Sequence, residues 1–483
     1  MGKSLLKDVY RDSLSLLTDL YEITMAYAYW KDGLQDREAV FQLFFRKFPF
    51  GGAYAIAAGM QTAIEYIENF AFARDDLEYL TELKNPAGGP LFEIEFIEFL
   101  RDLKMEVDVD AMEEGTPVFP YEPIIRVKGP IICAQILESA LLNILNFQTL
   151  IATKASRVCR AAGGDHVVEF GLRRAQGIDG AISASRASFI GGCHSSSNVL
   201  AGKLFGIPVM GTHAHSFIMA CDSEKEAFRS FAKFLPENCI FLIDTYDTLK
   251  GTERAIEVAK EEKIKLIAVR LDSGDLQDLS NAVRKMLDDA GLFDTKIMAT
   301  NELTEQLIAD LKAQGAKISI WGVGTNLVTA KDQPALDGVY KLSAVQGADK
   351  EWKYRLKISE QVIKTTNPGI SQVRRYFDDK GYVADMLYDE NKGPGDVIFH
   401  HTEQGVKREV KKNWRHKDLL VPMLKKGRGV YPFPSLEQMR AHTYQELDKF
   451  PTGMRRFNNP QPYFTGIEKN LFDLKLHMIE ELS

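Results

Sequence analysis

Cysteine is sparse in this chain and shows no pairing pattern. Cys133, Cys159, Cys193, Cys221 and Cys239 are the five cysteines among 483 residues. Their number is odd, their spacing is wide and no CxxC occurs, so neither a disulfide framework nor a structural zinc site is indicated. A reducing, cytoplasmic setting is the expectation. Long apolar runs are also missing. The most apolar helical stretch, residues 131–151, is interrupted by Gln135, Glu138, Asn143, Asn146 and Gln148. It reads as a buried or amphipathic helix rather than a membrane span. There is no excess of basic charge. The formal net charge of −7 argues against a general nucleic-acid binder. The opening MGKSLLKDVYRD is too charged for a secretory signal, and Leu6 breaks the acylation pattern that Met-Gly would begin. Neither GxGxxG nor GxxxxGK[ST] occurs, which removes the dinucleotide fingerprint and the P-loop. Low-complexity tracts and short repeats are absent.

What is present is ordinary globular material, 45% hydrophobic and 26% charged, long enough for two or three domains. Residues 14–30 carry apolar side chains at helical spacing. Residues 41–48 read as a strand ending in a Gly51-Gly52 turn. Helices are predicted near 59–70 and 91–103, and short strands over 115–132. Together these predict an N-terminal α+β domain over 1–135. From Ile136 the texture changes. A helix over 136–153 is followed by short, continuous apolar segments: 167–170, 207–210, 239–243, 264–269, 296–299, 318–321 and 339–345. Helical patterns such as 276–287 and 302–311 lie between most of them. Strands of this kind are covered on both faces. The alternation predicts an irregular parallel α/β barrel over 136–345, with 346–483 as a C-terminal region.

Polar residues gather after these strands: GLRRAQG, GTHAHS, DTYDT, RLDSGD, TNE and GVGTN. In a parallel barrel the C-terminal rim carries the active site, so an enzyme is expected. In GVGTN, Gly322 and Gly324 let backbone amides approach an oxyanion, or they merely make a turn. In RLDSGD, Arg270 suits an anion. Asp272 and Asp275 suit ribose hydroxyls or Mg²⁺, with Ser273 and Gly274 between them. Asp275 equally suits a helix cap. Of the arginine pair Arg173 and Arg174, one reaches the rim and the other serves as surface charge. His213 and His215 have no later histidine in the barrel, which disfavours a metal site. His215 remains a candidate phosphoryl acceptor, and simple packing suits His213 better. The pair His400-His401 reads as a solvated loop.

These motifs resemble the nicotinate phosphoribosyltransferase family. The resemblance runs from LLTDLYEITMAYAYW (16–30) through FFRKFPFGGAYAIAAG (44–59), FGLRRAQG (170–177), SSSNVLAGKLFGIPVMGTHAHSF (195–217), VRLDSGDL (269–276) and GVGTNLVT (322–329) to YKLSAV (340–345). VYPFPSLEQMRAHTYQEL (430–447) extends it more weakly. It implies an irregular α/β barrel with the C-terminal region packing back on the N-terminal side. It implies transfer of phosphoribose from phosphoribosyl pyrophosphate to nicotinate, with ATP and Mg²⁺, through a phosphohistidine at His215. It further implies that Thr212 and Arg270 contact nicotinate, that Tyr21 stacks on its ring from the neighbouring subunit of a homodimer, and that Arg173, Gly322, Gly324 and Thr325 hold phosphate. Asp272 would stabilise the charge that builds on ribose. The alternatives are a nicotinamide-specific enzyme, a quinolinate enzyme and a non-catalytic nucleotide-binding protein on the same fold. Roles for His213, Arg174, Asp244 and Asp247 stay open at this point.

Overall fold

A computed structural model describes residues 10–358, 365–401, 403 and 405–482. The reading of the extreme N-terminus rests largely on residues 1–9, which lie outside the described residues. The chain divides into two compact units. One takes residues 1–149, 335–434 and 444–483; the other takes 150–334 and 435–443.

The first unit is built on a seven-stranded sheet. Its strand Glu38–Phe44 (EAVFQLF) is buried almost throughout, as its unbroken apolar character requires. It pairs antiparallel with Ile125–Pro130 on one side and Val339–Gln346 on the other. The last pairing corrects the sequence reading, which assigned 339–345 to the barrel. Apolar content says that a strand is covered, and it does not say which sheet covers it. The strand Leu420–Lys425 pairs with Asp108–Met112, so the C-terminal region does return to the N-terminal sheet. Helices Met60–Glu68 and Ile94–Asp102 fall where periodicity puts them, and Leu20–Lys31 carries Tyr21. Helix Arg74–Glu82, too polar to show an apolar stripe, was not anticipated. A second, six-stranded sheet is built from strands between Ser371 and Glu468. His400 ends one of these strands, and its Nδ1 accepts the Glu403 amide. His401 packs its ring 5.3 Å from that of Tyr121, and burial pushes its pKa well below the ordinary value. Residues 400–401 are therefore not a solvated loop.

The second unit holds the parallel sheet. Its order, by first residue, is 195, 166, 320, 296, 268, 240. Segment 207–210 joins only through a parallel bridge between Val209 and Ser196. Four residues after Val209, His213 Nε2 accepts the amide of Leu242 on the opposite edge strand at 3.3 Å. One stretch of chain thus spans both edges of a curled sheet. Val168, Ile240, Ala268, Met298 and Ile320, each from a different strand, pack together inside the curl. Burying each of the larger ones contributes roughly 1.5–3 kcal/mol. Gly322 must be glycine here, since a Cβ would lie 2.6 Å from Thr300 Cγ2. The predicted helix 136–153 is two helices, Ile131–Ile136 and Glu138–Ala162. All five cysteines are free.

Candidate active site

The rim of the curled sheet is built where short strands stop and loops begin. Strand Ala268–Leu271 runs two residues further than its apolar pattern suggests, so Arg270 sits within it. Its guanidinium is largely buried, and Nη1 donates to Thr212 Oγ1 at 2.8 Å. Nε has no hydrogen-bond partner. Burial pulls the pKa of Arg270 down, Asp272 and Asp244 pull it back up, and Arg173 adds repulsion. A buried guanidinium so sparsely bonded invites an anion.

Asp244, left open by the sequence, organises the other half of the rim. Its side chain is 1% exposed. Oδ2 accepts the Asp272 amide at 2.8 Å and the Ser273 hydroxyl at 2.6 Å. Oδ1 lies 3.4 Å from Nε2 of His215, which opens the short helix His215–Met219 and is 40% exposed. Asp272 is itself held, since Thr300 Oγ1 donates to its Oδ1. The structure therefore gathers His215, Asp272 and Ser273 around one buried carboxylate, with Arg270 and its partner Thr212 beside them. Gly274 takes φ +79 and shapes the turn.

The remaining candidates separate by geometry. Asp275 accepts the amides of Gln277 and Asp278 at 3.0 Å and caps helix Leu276–Asp289. Asp247 caps helix Thr248–Glu261 in the same way. His213 is set among the rings of Phe217, Phe228, Phe231 and Phe241. Burial, Arg270 and His215 lower its pKa to about 4. It stays neutral and holds the sheet together. Arg174 donates to Thr325 Oγ1 at 3.2 Å and to Glu302 at 3.1 Å, and Lys331 also reaches Glu302. Thr325 opens a short helical turn after Gly324, whose φ and ψ are −109° and −106°. Arg173 is exposed. Tyr21 belongs to the first unit, on helix Leu20–Lys31, and is 45% exposed.

The sequence did not single out Glu169; Thr300 and Glu302 fall in the TNE cluster it put at the rim but had no role assigned there. Glu169 ends its strand buried and accepts hydrogen bonds from Ser185 and Ser196. It anchors the SSSN segment, whose Asn198 caps the next helix. Asn301 and Glu302 both take positive φ, which their types alone do not announce. Among the described residues, no group of three or more acidic, histidine or cysteine side chains suits a metal ion.

Comparison with known proteins shows the family. The family model for the nicotinate phosphoribosyltransferase N-terminal domain matches residues 16–146, and that for the C-terminal domain matches 371–475. A nicotinate phosphoribosyltransferase of Bacillus subtilis is 43% identical over 98% of this chain and 96% of its own. The chain belongs to the nicotinate phosphoribosyltransferase family. It is an enzyme of that type. The human nicotinate phosphoribosyltransferase is 33% identical over 94% of this chain and 95% of its own. The crystal structure of human nicotinic acid phosphoribosyltransferase superposes with a TM-score of 0.82 at 30% identity, covering 96% of this chain and all of that one. A nicotinate-nucleotide pyrophosphorylase of Pyrococcus furiosus, at TM-score 0.70 and 23% identity, shares the fold. The rim residues, from Glu169 to Lys331, lie between the two regions that the nicotinate phosphoribosyltransferase family models match. No described helix is long and apolar enough to cross a membrane.

Proposed function

We propose that this enzyme joins nicotinate to phosphoribosyl pyrophosphate, giving nicotinate mononucleotide and pyrophosphate, and couples the reaction to ATP through phosphorylated His215. The observation that carries the reading is Arg270, a buried guanidinium with one hydrogen bond and a bare Nε. A planar carboxylate satisfies such a group with two parallel hydrogen bonds. The amide of nicotinamide would leave its charge unpaired, which is costly in a buried site.

Loss of pyrophosphate builds positive charge on the ribose, as in glycoside cleavage. Asp272, oriented by Thr300, aims fixed negative charge at that centre. The ring nitrogen of nicotinate is the nucleophile, so the protein positions and neutralises rather than attacks. Asp272 also has a second carboxylate oxygen for Mg²⁺, which usually takes one or two carboxylates plus substrate phosphates. Mg²⁺ would there neutralise the departing pyrophosphate. Arg173, Thr325 and the backbone at Gly322 and Gly324 serve the phosphates. Arg174, tied to Thr325 and Glu302, steadies that loop. With Nε2 of His215 turned toward Asp244, Nδ1 is the nitrogen left to attack the terminal phosphorus of ATP, with ADP as the leaving group and water later taking the phosphoryl group as inorganic phosphate. Asp244 would stabilise the resulting imidazolium. Tyr21, half-exposed and outside the barrel unit, suits a homodimer in which its ring stacks on nicotinate bound by the partner. The chemistry fits a cytoplasmic enzyme.

Incubation with γ-labelled ATP tests the reading. An acid-labile, base-stable label that is lost in His215→Ala is expected, with more nicotinate mononucleotide by mass spectrometry when ATP is present. An unlabelled active enzyme would remove the phosphohistidine. Mixing Tyr21→Ala with His215→Ala should restore activity if sites are shared.

A further inference from the structure

We propose that the first unit carries a second ligand site, a cleft in its C-terminal sheet that takes a planar aromatic phosphate of nucleoside-monophosphate size. The cleft encloses about 450 Å³, within the ordinary range for small-molecule pockets. Its walls come from this unit alone, so no residue of the rim site contributes.

The lining has two chemistries. The first is aromatic: Tyr382, Trp414, Tyr463 and Phe464. Both tyrosine hydroxyls are already engaged in the interior, Tyr382 with Glu446 at 2.7 Å and Tyr463 with Asp385 at 2.9 Å. Both are nearly buried, so they floor the cleft with ring carbon, and the partly exposed rings of Trp414 and Phe464 are the ones left for a ligand to pack on. The second chemistry is cationic. Arg408 lies with its guanidinium carbon 4.4 Å from the centre of the Phe464 ring. Its Nη1 donates to the Val383 carbonyl at 2.6 Å, and among the described residues no carboxylate pairs with it. Lys411 places Nζ 5.9 Å from the Trp414 ring and likewise has no acidic partner among the described residues. Both are exposed, so their charge is available to a ligand. The one carboxylate of the lining, Asp378, accepts the backbone amide of Lys380.

Two neighbouring cations are spoken for: Arg415 pairs with Asp379, and Lys417 with Glu446. The segment 407–417 holds six lysines and arginines against one glutamate, in a chain whose net charge is −7. That local reversal of sign selects an anion, and the rings select a flat one. An apolar ligand would leave the two cations unused; inorganic phosphate would leave the rings unused.

Photolabelling with 8-azidoadenosine monophosphate tests the site in the full-length protein. Adducts are expected on peptides carrying Trp414, Tyr463 or Phe464, and AMP should protect them better than adenosine or inorganic phosphate. The exposed double variant Arg408→Ala, Lys411→Ala should label about tenfold less there, with nicotinate turnover unchanged, since each lost charge-assisted contact weakens binding. The charge-preserving variant Arg408→Lys, Lys411→Arg should keep the label. Labelling confined to peptides from 169–332, undiminished labelling in the double alanine variant, or equal protection by adenosine would overturn the proposal.

Discussion

Two buried arginines, one in each unit, show how the same side chain serves stability in one place and binding in another. Arg375 is fully buried, with Nε and Nη2 bonded to Asp385 and Nη2 also bonded to the Pro117 carbonyl. The rings of Phe119, Tyr382 and Phe450 surround it at 5.0–5.5 Å. Burial pulls its pKa down, but Asp385 outweighs burial and the net shift is upward. Arg270 has the same burial problem and no such solution. It keeps one hydroxyl partner, and its pKa is lowered. Each arginine keeps one bare nitrogen, Nη1 of Arg375 and Nε of Arg270, so the difference lies in the carboxylate. A charge already paired with an anion is architecture; a charge without one is held for something that arrives later.

The sharpest way to break this comparison is to remove each arginine and measure stability and activity together. Arg375→Ala leaves Asp385 buried and unpaired and should cost about 3–5 kcal/mol in denaturant unfolding. Arg270→Leu should leave the unfolding midpoint unchanged or raised, because among the described residues no carboxylate lies in salt-bridge contact with Arg270. It should raise the nicotinate KM about a hundred- to thousandfold. Next comes Asp244→Asn, which removes the charge facing His215 and should slow acid-labile labelling from ATP about a hundredfold while the fold persists. Acid should then weaken the second unit. Burial lowers the pKa of both His213 and His194 to about 4, against about 6.5 when unfolded. As pH falls, the unfolded imidazoles take protons first. Stability is therefore complete above pH about 6.5 and is lost as pH drops toward about 4. The urea midpoint followed against pH should show this fall, and His213→Gln should make it shallower. The smallest effect belongs to Asp247→Ala. A lost helix cap should cost about 1 kcal/mol with kcat unchanged, although Asp247 stands three residues from Asp244.

That last contrast marks how far the sequence could be read. The clusters after the barrel strands were legible, because apolar segments locate strands and strand ends locate the rim. Within DTYDT, however, two aspartates have the same local chemistry. Only the fold puts Asp244 against His215 and turns Asp247 to the amide of Lys250. His213 and His215 divide in the same way, and burial among four phenylalanines decides it. The strand Val339–Gln346 was misassigned because covering is visible in composition and pairing partners are not. Strand Asp108–Met112 was missed because DVDAM carries two aspartates, although three of its five residues are buried. The C-terminal sheet escaped notice for want of any local chemical signature.

The measurement that tests the central claim most directly is the preference for nicotinate over nicotinamide, as a ratio of kcat/KM, in the native enzyme and in Arg270→Leu. A large preference that collapses in the variant is expected, since the guanidinium would then be what distinguishes carboxylate from amide. A preference that survives the substitution would contradict the assignment of Arg270 as the carboxylate partner.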